Sequence, residues 1–388
     1  MTHATTILER THAAVEQGMR DGLQIGAQIY VSVNGDPVAD IGIGEARPGV
    51  EMTPDTLMSW YSSTKAVMPV VIGQLWERGL FDIDDRVAQF IPEFAANGKG
   101  SVTLRHLLTH TAGYRKIEPF GNATAAVLRD NYDAVLQALC NAPLEEGWTP
   151  GRRAGYHGGN VHFVLGELVR RLTGQHYGDY VKEHVFEPLG VADSWIGLPE
   201  ADYQRYGDRL GLMQVARNGK FESRPYIEGP EAARQGHPGG GGKGPMRELA
   251  RIYELYLGRG ELRGKRLLSP QTVEAITARH RVGLFDETFG VPMDYGLGLQ
   301  IDVCSMGRHC SPRTFGHGGN LSSVAFGDPE AHVAVGLVVN GMPASRDIHY
   351  RRLEAISSAI YEDLGLARPE DEGREHHVPP DREPGGNE

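Results

Sequence analysis

The chain has few cysteines and no long apolar run. Its 388 residues include only Cys140, Cys304 and Cys310, which is too few for a disulfide framework in a chain of this length. No stretch approaches the length of a membrane span, and residues 1–4 show neither the basic nor the apolar segment of an export signal. We therefore expect free thiols, no association with a membrane, and a soluble cytoplasmic protein.

Positive charge is also scarce. Lysine and arginine number 39 against 50 aspartates and glutamates, and the formal net charge is −11. A protein that binds nucleic acid needs a basic face to neutralise phosphates. This composition therefore argues against a nucleic-acid partner.

Several common signatures of catalytic and cofactor sites are missing. There is no Gly-x-Ser-x-Gly elbow of the α/β-hydrolases, and none of the 16 histidines falls in a His-Glu-x-x-His metal motif. Gly239, Gly241 and Gly244 match a dinucleotide pattern, but no predicted strand precedes them, and no serine or threonine follows Lys243 as a P-loop requires. We expect no metal and no cofactor, and interpret these glycines as a loop that approaches a cleft closely.

The chain does contain a serine and a lysine three residues apart at the predicted start of a helix. A short apolar run ends at Tyr61, and from Ser62 onward apolar residues recur at helical spacing, so Ser62 and Lys65 share one helical face. Unpaired N–H groups at a helix start favour a developing alkoxide, and a desolvated lysine can activate a serine. Ordinary capping by serine, with lysine on a solvated face, explains the same pair.

Two further segments carry polar groups beside predicted elements. Tyr156 lies on a loop just before a helix predicted for residues 161–172, where its hydroxyl either points into a cleft or is satisfied in the core. His317, Gly318 and Gly319 precede a predicted strand, where glycines let backbone N–H groups face a ligand. An exposed glycine-rich hairpin would show the same pattern.

The order of predicted elements indicates the architecture. Strands are predicted at 27–33 and 37–43 near the start, where Asn34-Gly35 is a hairpin signal, and at 295–302, 321–326 and 332–339 near the end. Mostly helices lie between these two groups. We therefore expect an α/β fold of the α+β type, with an antiparallel sheet assembled from N- and C-terminal segments, flanked by helices and interrupted by a mostly helical insertion.

With these segments in view, the chain resembles the serine β-lactamase and penicillin-binding-protein superfamily, in particular its class C-like branch with family VIII carboxylesterases and related acyltransferases. The resemblance covers roughly residues 7–365 and rests on motifs in the family's order. These are Ser62-x-x-Lys65, 107–114, Pro150-Gly151 before Tyr156, 186–190, 239–249, 295–298 and 317–319. Agreement of seven motifs in order is far more specific than agreement of one.

The resemblance implies a β-lactamase/transpeptidase-like fold and a role for each motif. It predicts one catalytic unit over residues 1–366, with a sheet subdomain at about 6–80 and 240–365 and a helical subdomain at about 81–239, followed by a disordered tail at 367–388. Ser62 matches the nucleophile that forms an acyl-enzyme, and Lys65 and Tyr156 match the groups that share acid and base duty. The backbone N–H groups of Ser62 and Asn320 match the oxyanion hole.

The sequence departs from the family pattern at two motifs. Relatives have Tyr-x-Asn where this chain has Tyr156, His157 and Gly158, so an amide is missing unless Asn160 replaces it. His317 stands where penicillin-recognising relatives have lysine and offers a weaker cation for a substrate carboxylate. Both departures favour esterases and acyltransferases over enzymes that act on β-lactams or D-Ala-D-Ala peptides.

The predicted function is acyl transfer through Ser62 from a small ester or amide, followed by transfer to water or to an amine or alcohol acceptor. Hydrolase and transferase would share all three catalytic residues, so the motifs do not separate an esterase from a transacylase of secondary metabolism. D-amino-acid peptidase or β-lactamase activity, and a catalytically silent binding member of the family, remain alternatives. The sequence does not fix the oligomeric state.

Overall fold

The computed structural model describes residues 8–115, 132–217, 219–223, 229–371 and 373–381. The predicted antiparallel sheet is confirmed: eight strands lie in the order β13-β14-β15-β16-β17-β1-β2-β3. The strands are β1 (Gly26–Val33), β2 (Asp36–Arg47), β3 (Val50–Glu51), β4 (Met58–Ser59), β5 (Trp195–Ile196), β6 (Gln214–Arg217), β7 (Lys220–Ser223), β8 (Gly242–Gly244), β9 (Glu261–Leu262), β10 (Lys265–Arg266), β11 (Phe285–Asp286), β12 (Val291–Pro292), β13 (Asp294–Tyr295), β14 (Gln300–Ile301), β15 (Phe315–Gly318), β16 (Ser323–Asp328), β17 (Val333–Val339) and β18 (Gly341–Pro343).

Helices flank the sheet and fill the middle of the chain. The α-helices are α1 (Glu9–Arg20), α2 (Met68–Glu77), α3 (Leu104–Leu108), α4 (Tyr132–Asn141), α5 (Asn160–Thr173), α6 (Tyr177–Val181), α7 (Glu200–Tyr206), α8 (Pro230–Arg234), α9 (Met246–Leu257), α10 (Pro270–Thr277) and α11 (Arg346–Asp363). Short 3-10 turns lie at Tyr61–Val67, Val87–Gln89, Pro92–Gly98, Gly207–Arg209, Cys304–Met306 and Pro369–Asp371, and a π turn at Lys182–Phe186. None of the described helices is long and apolar enough to cross a bilayer.

The two ends of the chain meet in the middle of the large sheet. Strand β1 pairs on one side with β2, through a turn in which Asn34 and Gly35 have φ of 54° and 81°, which confirms the predicted hairpin. On its other side it pairs with β17 in the register Ala27 to Val339. Ile29 and Val31 of β1 lie in one core with Val335 of β17, whereas the side chain of Gln28, on the opposite face, bonds to the backbone of Thr53 and Met246. A shift by one residue would exchange these two faces, which sets the register.

The large sheet carries a helical layer on each face. Helices α1 and α11 pack on one face, where Val15, Leu353 and Ile360 join the core of β1 and β17. Helix α9 packs on the other face, and its Leu249 belongs to a second core that extends into the helical middle of the chain. Ser62 lies at the edge of this second core, where the helical part of the chain meets β15.

Two details differ from the sequence-based expectations. The strand predicted at 295–302 is a hairpin of β13 and β14, because Gly298 adopts φ 85° and turns the chain between them. In the segment 367–388, which composition predicts to be disordered, residues 373–381 make defined contacts: His376 Nε2 lies 2.9 Å from Oδ1 of Asp302, just after β14, and Asp381 accepts the N–H of Arg346, the first residue of α11, at 2.6 Å. Composition cannot reveal such long-range contacts; residues 382–388 lie outside the described part.

The cysteines are free, as predicted. Cys140, Cys304 and Cys310 are all buried and none forms a disulfide. The division into a sheet subdomain and a helical subdomain with the stated bounds stays a prediction.

Candidate active site

Ser62 lies in a 3-10 turn that runs directly into helix α2. The turn spans Tyr61–Val67 and the helix begins at Met68, so the predicted helical start is confirmed with a tighter first turn. Tyr61 adopts φ 47°, which is costly for a tyrosine and bends the chain sharply just before the serine. Trp60 anchors the bend, because its buried indole donates to the carbonyl of Gly244 at 2.9 Å.

The three predicted catalytic side chains converge on one oxygen atom. The Nζ atom of Lys65 donates to Ser62 Oγ at 3.0 Å, and the hydroxyl of Tyr156 donates to the same Oγ at 2.7 Å. Tyr156 is 94 residues from Ser62 in sequence, so only the fold brings it here. This geometry is what a nucleophile with adjacent acid and base groups requires.

Burial sets the charge of the lysine and the phenol. Lys65 is 1% exposed, and this burial lowers the pKa of its amine to about 7. Burial also raises the pKa of Tyr156 above its usual value, an effect that its bond to Ser62 only partly offsets. Near neutral pH a large share of the lysine is therefore the free amine, whereas the phenol keeps its proton.

The glycine-rich loop forms one wall of the site. The carbonyl of Gly239 accepts from Lys65 Nζ at 2.5 Å. A Cβ atom at this glycine would lie 2.8 Å from the Cβ of His162 and 3.2 Å from Lys65 Nζ. The interpretation of this loop as a close approach to the cleft is confirmed, and the reason is the space needed beside Lys65.

Strand β15 forms the opposite wall and rests on the serine turn. Ser63 Oγ donates to the carbonyl of His317 at 2.9 Å, and Ser323 Oγ donates to the carbonyl of Trp60 at 2.9 Å. Gly319 makes this contact possible, since a Cβ there would lie 2.4 Å from the Trp60 carbonyl. Gly318 ends the strand and Asn320 is exposed in the following turn. The oxyanion role of the Asn320 and Ser62 N–H groups stays a prediction.

His317 is neutral. It is 1% exposed, and burial, together with the charge of Lys65, lowers the pKa of its imidazole to about 3. Its Nδ1 atom lies 2.7 Å from the carbonyl of Gly318, so that nitrogen carries the proton and Nε2 keeps its lone pair. The structure therefore corrects the expectation of a weak cation at this position.

His157 and Asn160 bond to the backbone of residues 113–115. His157 Nε2 accepts the backbone N–H groups of Gly113 and Tyr114 at 2.8 and 3.3 Å. Asn160 donates one N–H of its side-chain amide to the carbonyl of Arg115 at 3.0 Å, and its role in place of the amide of the Tyr-x-Asn motif stays a prediction. Gly158 has φ 57° and faces open space.

Sequence reasoning missed two groups beside Tyr156. Three further buried histidines, His110, His162 and His237, lie close enough to Lys65 for its charge to lower their pKa values, and the ring of His110 lies 4.7 Å from that of Tyr156. The ring of Phe289 also packs against that of Tyr156, with 5.0 Å between the ring centroids. The motif 107–114 contains His110, but nothing in the sequence from 284 to 293 signals that this loop reaches the site.

The structure brings potential metal ligands together away from the serine site. Within the described residues, one group of metal-binding side chains converges, Asp302, Cys310 and His376, and Asp302 is already paired with Arg374. It shares no residue with the serine site.

The fold, together with the convergence of Ser62, Lys65 and Tyr156, places the chain in the β-lactamase and penicillin-binding-protein-like class. The Beta-lactamase family profile matches residues 11–358, and the chain belongs to this family. It is 31% identical over 360 residues to the esterase/beta-lactamase LipL of Mycobacterium tuberculosis (strain ATCC 25618 / H37Rv), covering 85% of this chain and 80% of that protein.

Two other similarities bear on the chemistry. A crystal structure of a family VIII carboxylesterase superposes with a TM-score of 0.77 at 30% identity, covering 92% of this chain and 97% of that one. Monacolin J acid methylbutanoyltransferase of Aspergillus terreus is 29% identical over 250 residues, covering 57% of this chain and 56% of that protein. The family thus includes esterases and acyltransferases, which supports assignment of this chain to the serine hydrolases.

Proposed function

We propose that the chain is a carboxylesterase-like acyl-transfer enzyme that forms an acyl-enzyme on Ser62 from a small neutral ester. The convergence of Lys65 Nζ and Tyr156 OH on Ser62 Oγ carries this proposal. Kinship with esterases supports it.

In the proposed acylation, the free amine of Lys65 takes the proton of Ser62 as Oγ attacks the ester carbonyl. The negative oxygen of the tetrahedral intermediate is held by the N–H groups of Ser62 and Asn320. Tyr156 gives its proton to the departing alkoxide as the ester bond breaks, and Lys65 returns a proton to the phenolate. Lys65 is the first base because the pKa of its amine is lowered to about 7 by burial, whereas burial raises that of Tyr156.

Deacylation reverses these roles with a new nucleophile. Water, an alcohol or an amine enters beside Tyr156, loses its proton to the Tyr156 and Lys65 pair, and attacks the acyl carbon, after which Ser62 leaves as the hydroxyl. Water gives an esterase and the other acceptors give a transacylase, with the same residues. The partners we propose are therefore a small-molecule acyl donor and one of these acceptors.

The neutrality of His317 supports the choice of a neutral ester. A substrate with a free carboxylate, such as a β-lactam or a D-Ala-D-Ala peptide, gains from a cation at this position, and the buried imidazole supplies none. We expect an ester with an uncharged acyl chain to exceed a matched ester carrying a terminal carboxylate by about tenfold in kcat/KM, which is about 1.4 kcal/mol. Equal or reversed rates would favour the peptidase or β-lactamase alternative.

A short-chain p-nitrophenyl ester assay, with and without added alcohols or amines, tests the reaction. Ser62→Ala is expected to lose activity by about 10³-fold or more, since the nucleophile is removed. Ser305→Ala is the matched control, because the hydroxyl of Ser305 is buried without a partner among the described residues and away from the turn that carries Ser62. A Ser62→Ala protein as active as the parent would refute the assignment.

The mass of a covalent probe adduct distinguishes an active enzyme from a catalytically silent binding member of the family. A fluorophosphonate probe is expected to add one adduct to the parent and none to Ser62→Ala, as seen by intact-mass spectrometry. No adduct on the folded parent would favour the binding role.

A further inference from the structure

Asp286 is a fully buried carboxylate that the proposed reaction does not use. Its side chain is 0% exposed, in the second half of the short strand β11. A buried carboxylate is costly unless both oxygens are engaged by donors. Here they are: Oδ1 accepts backbone N–H groups of Tyr156 at 3.0 Å and of Thr288 and Phe289 at 2.9 Å each, and Oδ2 accepts Arg281 Nη2 at 2.8 Å.

These bonds hold both the backbone of Tyr156 and the loop that packs against its ring. The bond to its N–H holds the backbone, and the bonds to Thr288 and Phe289 shape the loop whose phenylalanine ring packs 5.0 Å from the Tyr156 ring. Thr288 adds a second tie, because its hydroxyl donates to the carbonyl of Tyr156 at 2.9 Å. The backbone on both sides of the Tyr156 Cα atom is thus bonded to this one loop.

Arg281 extends the same network to the other side of the site. It is 2% exposed, its Nη1 donates to the carbonyl of Thr109 at 3.3 Å, and its guanidinium lies 4.7 Å from the ring centre of Tyr295. Gln300 donates to the Tyr295 hydroxyl at 3.2 Å and accepts the N–H of Gly318 at 3.3 Å. The network therefore runs from Tyr156 to the strand that carries the third motif.

We propose that Asp286 is a positioning residue for Tyr156, which keeps the phenol in line with Ser62 Oγ and ties this placement to strand β15. The proposal rests on the function proposed above. Asp286 does not touch substrate; it acts through the backbone of Tyr156 and through the loop 286–289. Because a shift of about 1 Å at a catalytic group costs up to about 10²-fold in rate, loss of this carboxylate should appear in kcat.

The chain offers a close match for the control. Asp328 is 1% exposed and also holds a loop, accepting backbone N–H groups of Ser311, Glu330 and Ala331 at 2.8, 3.0 and 3.2 Å. Asp328 is the last residue of β16, whereas Ser323, which bonds to the carbonyl of Trp60 before the serine turn, is the first. A purely structural carboxylate should behave as Asp328 does.

The experiment compares Asp286→Asn with Asp328→Asn under conditions where circular dichroism shows both to be folded. For Asp286→Asn we expect kcat for a p-nitrophenyl ester to fall by about tenfold or more, with KM within about twofold and a slower acylation burst. For Asp328→Asn we expect kcat within about twofold of the parent. If folded Asp286→Asn keeps the parent's kcat, or if both variants lose it equally, the proposal is overturned.

Thr288→Val decides the question if Asp286→Asn does not fold. It removes the second tie to Tyr156 from a half-buried position with little change of shape. We expect kcat to fall by about threefold to tenfold at an unchanged melting temperature, and an unchanged kcat would overturn the proposal. Failure of the proposed enzymatic function is a separate outcome, because the parent protein would then have no activity that depends on Ser62.

Discussion

The amine of Lys65 lies 3.0 Å from the hydroxyl oxygen of Ser62, one turn further along the same 3-10 segment. The second hydrogen-bond partner of this amine is a backbone carbonyl, that of Gly239, and no carboxylate is among the causes of its pKa. The amine is therefore a proton acceptor rather than half of an ion pair. Its charge state follows from burial alone, and this makes the acid side of the rate profile predictable.

Activity should rise with pH through about 7. Burial lowers the pKa of Lys65 to about 7, and only the free amine accepts the proton of Ser62, so kcat/KM should be low below this pH and level off above it. The neighbouring histidines do not produce such a limb, because burial lowers the pKa of His157, His237 and His317 to about 3. Ester hydrolysis measured from about pH 5.5 to 8.5 tests this. A flat profile over that range would contradict the role of Lys65.

Tyr156→Phe should remove the proton donor and leave the fold intact. We expect kcat to fall by about 10² to 10⁴-fold, the usual range for a positioned acid or base. Tyr177→Phe is the control, because Tyr177 is also buried and its hydroxyl has no partner among the described residues. Comparable kcat values for these two variants would mean that the phenol of Tyr156 takes no part in proton transfer.

Gly319→Ala should disable the site while Gly318→Ala is tolerated. A Cβ at Gly319 would meet Ser323 Oγ at 2.2 Å and the Trp60 carbonyl at 2.4 Å, whereas at Gly318 the nearest atom is the Ser323 carbonyl at 3.6 Å. The clash pushes β15 away from the serine turn and should cost about 1–3 kcal/mol of stability together with most of the activity.

Urea unfolding measures the stability of Gly319→Ala and Gly318→Ala, and ester hydrolysis measures their activity. Neither glycine has a positive φ, so the comparison is free of backbone strain. Equal stability and activity of the two variants would show that β15 is not held at its present distance by Gly319.

The buried histidines should make the fold sensitive to acid. Burial lowers the folded-state pKa of each below its ordinary value of 6.5, so the unfolded chain binds more protons below that pH. Stability is therefore complete above about pH 6.5 and falls as the pH drops toward 3, at up to about 1.4 kcal/mol per pH unit for each histidine. The five residues are His110, His157, His162, His237 and His317.

Urea midpoints at about pH 7.5, 6.5 and 5.5 measure this slope. His162→Phe should reduce the slope of the unfolding free energy against pH by the contribution of one histidine. The reason is that both ring nitrogens of His162 lack partners among the described residues and the ring is buried. A free energy of unfolding that does not change over this range would mean that these rings are hydrated or charged in the folded protein.

The sequence predicted the elements and the motif residues because these follow local rules. Helical spacing places Lys65 beside Ser62, and Asn34-Gly35 fixes a hairpin. The position of Tyr156 came from the family resemblance, and the structure places its hydroxyl on Ser62. These features depend on a few neighbouring residues or on a motif.

What the sequence did not predict depends on burial and on long-range contacts. His317 is neutral because of the residues packed around it, which its own segment does not specify. Asp286 is a single carboxylate in a loop without periodicity, and its four partners come from residues 156, 281, 288 and 289. Asn160 donates one N–H of its amide to the carbonyl of Arg115, a contact with a residue 45 positions away that no motif indicates.

The pairing of β1 with β17 has a consequence for biosynthesis. Because Gln28 lies opposite Val338 in the sheet, strand β1 gains this neighbour only after the ribosome has made the chain as far as β17. Strand β15, which supports the serine turn, also follows Ser62 by a long stretch of chain. The nascent chain therefore carries its nucleophile without the wall that completes the site until β15 has been made, and catalytic competence cannot arise before that point.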